Sequence, residues 1–435
     1  MKKSIYFKTF ILFWFCYIAA ISVLASETGH DGTIYQLTLP KQGNMIDEAN
    51  FYCWIPENVK TIRCILVHLH GCTREGDAKY MMDDLQWKAL AKKWDAAFIA
   101  PSFNSGGNAG VCANWYNIEN GSGNVFLAML DTLARRTGHS EIKVVPWAFW
   151  GHSGGAIWIT AMTGKYPERV AVAVAQSGYT DIADNNAALD VPILHHNGRQ
   201  DILHNQDQVM KGRKAGALWA HAINPNTLSN MDGHQCHDMR LLAIPWLDVC
   251  LAARLPEPGK TELKKMDASS GWLGINSTKV IIAQKDFKGD KSETSWFPNK
   301  ILAEKWAEYM EKGTITDSTP PPAPYNLNGV HTNGQVTLTW DTEPDLYSGI
   351  QTFIIYRNGS LIQTIRYTNV TKYSSTMGYQ RWNDGDQPSP SPAPEMTFTD
   401  TDVNEHDTYI YEVCTVNWSN ISSSKSQSFI IKGKQ

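Results

Sequence analysis

Trp147-Ala148-Phe149-Trp150-Gly151-His152-Ser153-Gly154-Gly155 is the stretch on which the reading of this chain turns. The apolar run ending at Trp150 suits a buried strand, and Ala156 to Lys165 has the composition of a helix. Between them lies G-x-S-x-G, whose glycines permit a turn tight enough to lift a serine hydroxyl above a sheet edge. In the strand–turn–helix context this pattern marks a nucleophile, here Ser153. A serine hydroxyl attacks poorly until a neighbouring base takes its proton and a third group orients that base. The rest of the chain must supply both.

Downstream, the apolar segment Val191–His195 runs into Asn197-Gly198-Arg199-Gln200-Asp201, a turn just past a strand end. Asp201 is therefore the candidate acid. Asp181 and Asp184, after an earlier strand, are its rivals. Further on, Asp232-Gly233-His234 precedes the helical run Leu241–Leu255, and the glycine suits a tight loop. His234 is the candidate base, with His237 as the alternative. A strand is expected just before it, and Asn226–Asn230 shows only a faint one. His195 and His196, at a strand end, read as structural. The oxyanion of a tetrahedral intermediate needs backbone N–H donors. One follows the nucleophile, at Gly154. The other is expected after the strand Cys64–His70, in His70-Gly71-Cys72-Thr73, at Cys72.

Composition divides the chain. Thr314 to Pro324 is Thr- and Pro-rich and reads as a stiff linker. Before it, short apolar strands (Tyr35–Leu39, Phe51–Ile55, Cys64–His70, Ala96–Ala100, Trp147–Trp150, Val170–Ala175, Val191–His195) alternate with helical segments such as Leu85–Lys93 and Val125–Arg136. That texture predicts an α/β domain over 26–313 with a parallel sheet covered by helices on both faces. Residues 255–313 read as an extension, with a short strand at Lys279–Ala283 and a helix at Lys300–Met310. After the linker, Val336–Trp340, Thr352–Tyr356 and Tyr409–Val416 alternate apolar and polar residues between turns such as Asn358-Gly359. This predicts an all-β, immunoglobulin-like sandwich over 325–435.

Lys2 and Lys3 followed by the apolar run Phe10–Ala25, too short for a spanning helix, predict a signal peptide over 1–25 and a secreted or periplasmic protein. No later segment is apolar for long enough to span a membrane. Of the eight cysteines, Cys16 lies in the signal run, which leaves seven that an oxidising compartment could pair. They lack C-x-x-C knuckles, so neither a zinc site nor any other metal is expected. A net charge of −4 over 435 residues gives no sign of a nucleic-acid partner. Trp115 sits in a loop on the predicted active-site side, where it either lines a substrate cleft or packs beneath the loop. Trp147, Trp150 and Trp158 read as core.

Leu69-His70-Gly71-Cys72-Thr73 followed by Cys112-Ala113-Asn114-Trp115-Tyr116-Asn117 and the serine motif resembles secreted polyhydroxybutyrate depolymerases and the related feruloyl and acetylxylan esterases. The resemblance extends from about Cys64 to Asp201. It implies an α/β-hydrolase sheet, Ser153 as nucleophile, Cys72 in the oxyanion loop, and a Cys72–Cys112 disulfide fixing that loop. The chain departs from the family at Gly154-Gly155, where the depolymerases usually have Ala-Gly. It also lacks the Trp that often follows the histidine there. Trp340, Ile354–Gly359 and Tyr409-x-Tyr411-x-Val413 resemble a fibronectin type III domain, with Tyr409 as its corner tyrosine and Ser389–Pro394 as an enlarged loop.

Together these features predict a serine carboxylic-ester hydrolase that acts on polyhydroxyalkanoates or plant-polysaccharide acyl groups and requires no cofactor. A serine peptidase of the prolyl-oligopeptidase type could use the same residues, but this chain has no blade-length repeats. A non-catalytic surface-binding protein is compatible with the sandwich, though folding alone does not call for triad residue types and an oxyanion loop. The sandwich itself reads as a spacer by default, or as a polymer-binding module.

Overall fold

The computed structural model describes residues 27–29, 31–197, 202–225, 239–366 and 396–433. Among the described residues, nine strands form the principal sheet: β1 (Glu27–Gly29), β2 (Gly32–Leu39), β3 (Ala49–Pro56), β4 (Cys64–Leu69), β5 (Ala96–Phe103), β6 (Trp147–His152), β7 (Val170–Gln176), β8 (Ile193–Asn197) and β9 (Trp219–Ile223). Their spatial order is β1-β2-β3-β5-β4-β6-β7-β8-β9. From β5 onward every pairing is parallel, whereas β1, β2 and β3 join antiparallel. The expected parallel sheet is thus a mixed one. The physical reason is local: β2 and β3 are joined by a short segment without a helix, and parallel strands need a crossover of a dozen or more residues. The exchange of β4 and β5 and the parallel run beyond them make this an α/β-hydrolase sheet.

Its central strands β4, β6, β7 and β8 are buried on both faces, and successive side chains go to opposite layers. Ile65, Val67 and Leu69 meet one core, with the helices Ser122–Thr137, Gly154–Lys165 and Ile202–Lys214. Cys64 and Leu66 meet the other, with Leu85–Lys93, Arg240–Arg254 and Lys300–Lys312. The helix Leu85–Lys93 begins where predicted because Asp84 caps it, accepting from the Gln86 and Trp87 amides at 3.0 and 3.1 Å. Asp84 also holds the buried Arg240 guanidinium at 2.6 Å, which ties two helices of this layer together.

Residues 255–313 build a small antiparallel sheet, β10 (Trp272–Ile275), β11 (Ile281–Ala283) and β12 (Thr294–Phe297), beside β9. Ser295 Oγ accepts from the His221 amide at 2.8 Å and so closes the edge of the large sheet. The C-terminal sandwich pairs β13 (Tyr325–Thr332), β14 (Gln335–Asp341) and β17 (Thr397–Asp400) in one sheet. Its other sheet contains β15 (Thr352–Arg357), β16 (Ser360–Arg366), β18 (Tyr409–Val416) and β19 (Phe429–Ile431). Tyr409 stands at the corner, its hydroxyl accepting from the Asn404 amide at 2.8 Å. The Ser389–Pro394 loop and the signal segment lie outside the described residues.

The linker does not run free between the two parts. Glu308, on the last helix of the hydrolase region, accepts from the Thr316 amide at 3.2 Å, and Ser419 Oγ accepts from the Asp317 amide at 3.1 Å. Asn417 donates to the Thr319 carbonyl at 3.0 Å. The sandwich itself touches the hydrolase helices through Tyr347, whose hydroxyl donates to Asp248 at 2.6 Å, and through Leu346, whose carbonyl accepts from Gln86 at 3.0 Å.

Candidate active site

Ser153 sits between β6 and the helix Gly154–Lys165 with φ 51° and ψ −115°. A non-glycine residue in the left-handed half of backbone space is strained by about 1–3 kcal/mol and persists only where packing dictates it. Here the packing is explicit. The Ser153 amide donates to the Gln176 carbonyl on β7 at 2.8 Å, and the Ser153 carbonyl accepts from Ile157 at 3.1 Å. Gly155 is pressed against β4, where a Cβ would stand 2.5 and 2.6 Å from the Leu69 and His70 carbonyl oxygens. The half-buried serine occupies the N-cap position, yet its side chain makes no capping bond. Its hydroxyl is thereby left for other partners, above the first amides of a helix that have no acceptor within that helix.

The loop after β4 lies directly against this turn: a Cβ on Gly71 would meet His152 Nδ1 at 2.8 Å and the Ser153 Cβ at 3.4 Å. Several bonds hold the loop. His70 donates from Nδ1 to the Gly71 carbonyl at 2.6 Å and accepts at Nε2 from the Phe103 amide at 3.0 Å, which fixes a neutral imidazole. The Thr73 amide donates to Ser105 Oγ at 3.0 Å. Cys72 and Cys112 form a disulfide across a Cα separation of 5.9 Å. Thr73 also has positive φ, 63°, and so does Ser177 just past β7, at 53°. Three strained residues therefore stand at the carboxyl ends of three neighbouring strands, β4, β6 and β7. Ser177 carries no sequence signal of its own, because nothing about a serine announces a left-handed backbone; Gly178, two residues past β7, is the available hint.

Asp201, His234 and the rival His237 lie outside the described residues. The candidate acids Asp181 and Asp184 are solvent-facing instead, sharing Lys211 at 3.5 and 2.6 Å, and the Asp184 side chain is 86% exposed. That setting suits a surface ion pair and not the buried partner of an imidazole. His195 and His196 are fully buried, and burial, with His221 adding to it, pushes both down to about 3. Neither is a base poised for neutral pH. Trp115, read as either cleft lining or packing, is 1% exposed. Trp147, Trp150 and Trp158 are core.

The strand sought at Asn226–Asn230 falls outside the described residues. The last strand of the large sheet is β9, which begins earlier, at Trp219. Among the described residues, no group of three or more His, Cys, Asp and Glu is placed to hold a metal, and no helix is long and apolar enough to cross a membrane. Cys53, Cys64, Cys250 and Cys414 are free and buried, and desolvation pushes the Cys64 thiol up to about 12.

No protein-family model matches the chain. Acetylxylan esterase A of Aspergillus awamori is 29% identical over 164 residues, which cover 36% of this chain and 52% of that protein. The chain resembles the esterases and depolymerases of the α/β-hydrolase fold. It spans about half the length of this curated relative, 52%. Among solved structures, the poly(3-hydroxybutyrate) depolymerase LpqC from Bordetella parapertussis matches with TM-score 0.36 and 16% identity, covering 52% of this chain and 92% of that one. A thermostable esterase matches with TM-score 0.35 and 15% identity, over 44% of this chain and 54% of its own. For the sandwich, an Fn3-like protein from Clostridium thermocellum matches with TM-score 0.16 and 17% identity, over 27% of this chain and 97% of its own.

Proposed function

We propose that this protein is a secreted carboxylic-ester hydrolase that works through a serine acyl-enzyme. The observation that carries the reading is the backbone of Ser153, held at φ 51° between a buried strand and a helix N-terminus beside a covalently fixed loop. In the proposed reaction His234 takes the Ser153 proton as Oγ attacks the ester carbonyl, and Asp201 orients and stabilises the imidazolium. The amides of Cys72 and Gly154 receive the developing oxyanion, each contributing about 3 kcal/mol. The tetrahedral intermediate expels the alcohol, which leaves with the proton from His234. Water then adds to the acyl-enzyme with His234 again as base, releasing the acid and restoring Ser153.

Similarity to an acetylxylan esterase supports acyl groups on plant polysaccharide as one substrate class, and the depolymerase resemblance supports polyhydroxyalkanoate as the other. The signal segment and the Cys72–Cys112 pair support export. The test is hydrolysis of a p-nitrophenyl acyl series by the mature protein and by Ser153→Ala. Turnover should fall by at least about a thousandfold in the variant. Preference for acetyl over longer acyl chains would select deacetylation over polyester cleavage. A wild-type protein that folds but turns over none of the series would overturn the reading.

A further inference from the structure

We propose that Trp115 is a positioning residue: its indole edge and the Cys72–Cys112 disulfide together set the spacing between the Cys72 and Gly154 amides. The inference rests on the serine-esterase reading above. A Cβ placed on Gly154 would lie 2.8 Å from Cys72 Sγ and 3.1 and 3.2 Å from Cη2 and Cζ2 of Trp115. The residue after the nucleophile is therefore confined to glycine by a wall of sulfur and indole.

That wall has little freedom to retreat. The Trp115 ring stacks on Phe103 at 5.6 Å and lies tilted against His70 at 5.3 Å. Its carbonyl accepts from Ser122 Oγ at 2.5 Å, and the same hydroxyl accepts from Trp158 Nε1 at 3.0 Å. Behind it, His70 is fixed by the Phe103 amide. The segments that present the two amides touch directly at Gly155 and Gly71, and beside those contacts they are held apart at Gly154 by a sulfur atom and an aromatic edge. The thickness of that spacer adjusts how far apart the donors stand.

Trp115→Phe keeps a ring for the Phe103 stack and removes the edge that faces Gly154. Gly154→Ala does the reverse, pushing a methyl into the wall. The experiment measures kcat, KM and Tm on p-nitrophenyl acetate for the wild type, both single variants, the double variant and Ser153→Ala. Trp115→Phe is expected to lower kcat about tenfold and Gly154→Ala about a hundredfold, with KM little changed in each, since misplacement near 1 Å costs rates of that order. The double variant should be several-fold faster than Gly154→Ala alone, because the smaller ring yields room for the methyl. A merely structural role would lower Tm in both singles without splitting kcat from KM and without that rescue.

If Gly154→Ala does not fold, Trp115→Phe decides alone. A folded Trp115→Phe enzyme with wild-type kcat overturns the proposal, as does a double variant whose loss is the product of the two single losses. Ser153→Ala with undiminished turnover fails the esterase reading itself, and this inference falls with it.

Discussion

Left-handed backbone is distributed differently in the two parts of this molecule. Among the described residues of the sandwich, the non-glycine positions with positive φ are all asparagine: Asn326, Asn333, Asn358 and Asn420. Asparagine tolerates that conformation because its short amide bonds locally. Around Ser153 the same conformation falls on Thr73, Ser153 and Ser177, residue types that do not favour it. In the sandwich the sequence was free to choose the residue that suits each turn. At the strand ends of the hydrolase sheet the residue identity is fixed by something else, and the neighbouring backbone is packed to hold it there. Elsewhere in the hydrolase region positive φ falls on Asn58, Asp95 and Lys279, so the contrast is between the strand ends around Ser153 and the turns of the sandwich.

The contrast extends to the cores. The sandwich buries Val336, Leu338, Phe353, Ile355 and Tyr411 around Trp340. Strands β8 and β9 of the hydrolase sheet bury three histidines, His195, His196 and His221. His196 meets the Tyr309 hydroxyl at 2.8 Å, which also accepts from Asn224 at 3.1 Å. His221 donates from Nε2 to Asn197 Oδ1 at 3.2 Å. His195 stands edge-on to Trp219 at 5.4 Å, and among the described residues neither of its ring nitrogens has a hydrogen-bond partner. Burial pushes His195 and His196 down to about 3 and His221 to about 4, from an ordinary 6.5.

The sign follows from proton binding. Below pH 6.5 the unfolded chain takes up protons that the folded one refuses, so stability is full above that pH and declines as pH falls toward 3–4. The loss is on the order of 1 kcal/mol per histidine for each pH unit. Urea unfolding followed by tryptophan fluorescence should show the hydrolase transition moving to lower denaturant between pH 7 and pH 4.5. His195→Phe should flatten that dependence without weakening the protein at pH 7. An unchanged midpoint across the range would remove this difference between the two cores.

Asp248 is where the two parts can be uncoupled. Its buried carboxylate accepts from Lys93 and from Trp94 Nε1, each at 2.8 Å, and from the sandwich residue Tyr347 at 2.6 Å. Asp248→Ala strands the indole N–H and the hydroxyl, while the Lys93 ammonium, nearly half exposed, recovers water. The expected loss is about 2 kcal/mol. Ester turnover at 25 °C should stay at the wild-type value, because the working edge and the junction are separate. A kcat that falls in a folded Asp248→Ala protein would show that the junction reaches the site.

Much of this was legible in the sequence, and what was not has a common cause. Strong local patterns came through: the helix Leu85–Lys93, the buried strands β4, β6 and β7, and the alternating strands of the sandwich are close to where periodicity puts them. The antiparallel joining of β2 and β3 was missed because it depends on the connection and not on the strands. β9 was missed because Trp-Ala-His-Ala-Ile is short and carries a histidine whose burial only its neighbours explain. β11 lies within the short strand expected at Lys279–Ala283, whereas β10 and β12, four residues each, are below what periodicity can register. At the site, Ser153 was readable from its glycines. The enclosure of Gly154 by Cys72 and Trp115 was not, because the three segments lie far apart in the chain and meet only in the fold.

The smallest effect is expected at the corner of the sandwich. Tyr409 is 9% exposed, and its hydroxyl accepts the Asn404 amide at 2.8 Å, closing the turn that leads into β18. Tyr409→Phe keeps the ring and leaves that amide without its acceptor, at a cost of about 1 kcal/mol. Because Asn404 lies in a partly exposed loop, water can replace some of the bond, which keeps the figure near the lower end for a lost acceptor. The loss should appear as a lower urea midpoint for the sandwich transition with the hydrolase transition and ester turnover unmoved. If both transitions shift together, the parts fold as one unit. The contrast between strained edge and relaxed scaffold would then describe local backbone only, and not how the molecule comes apart.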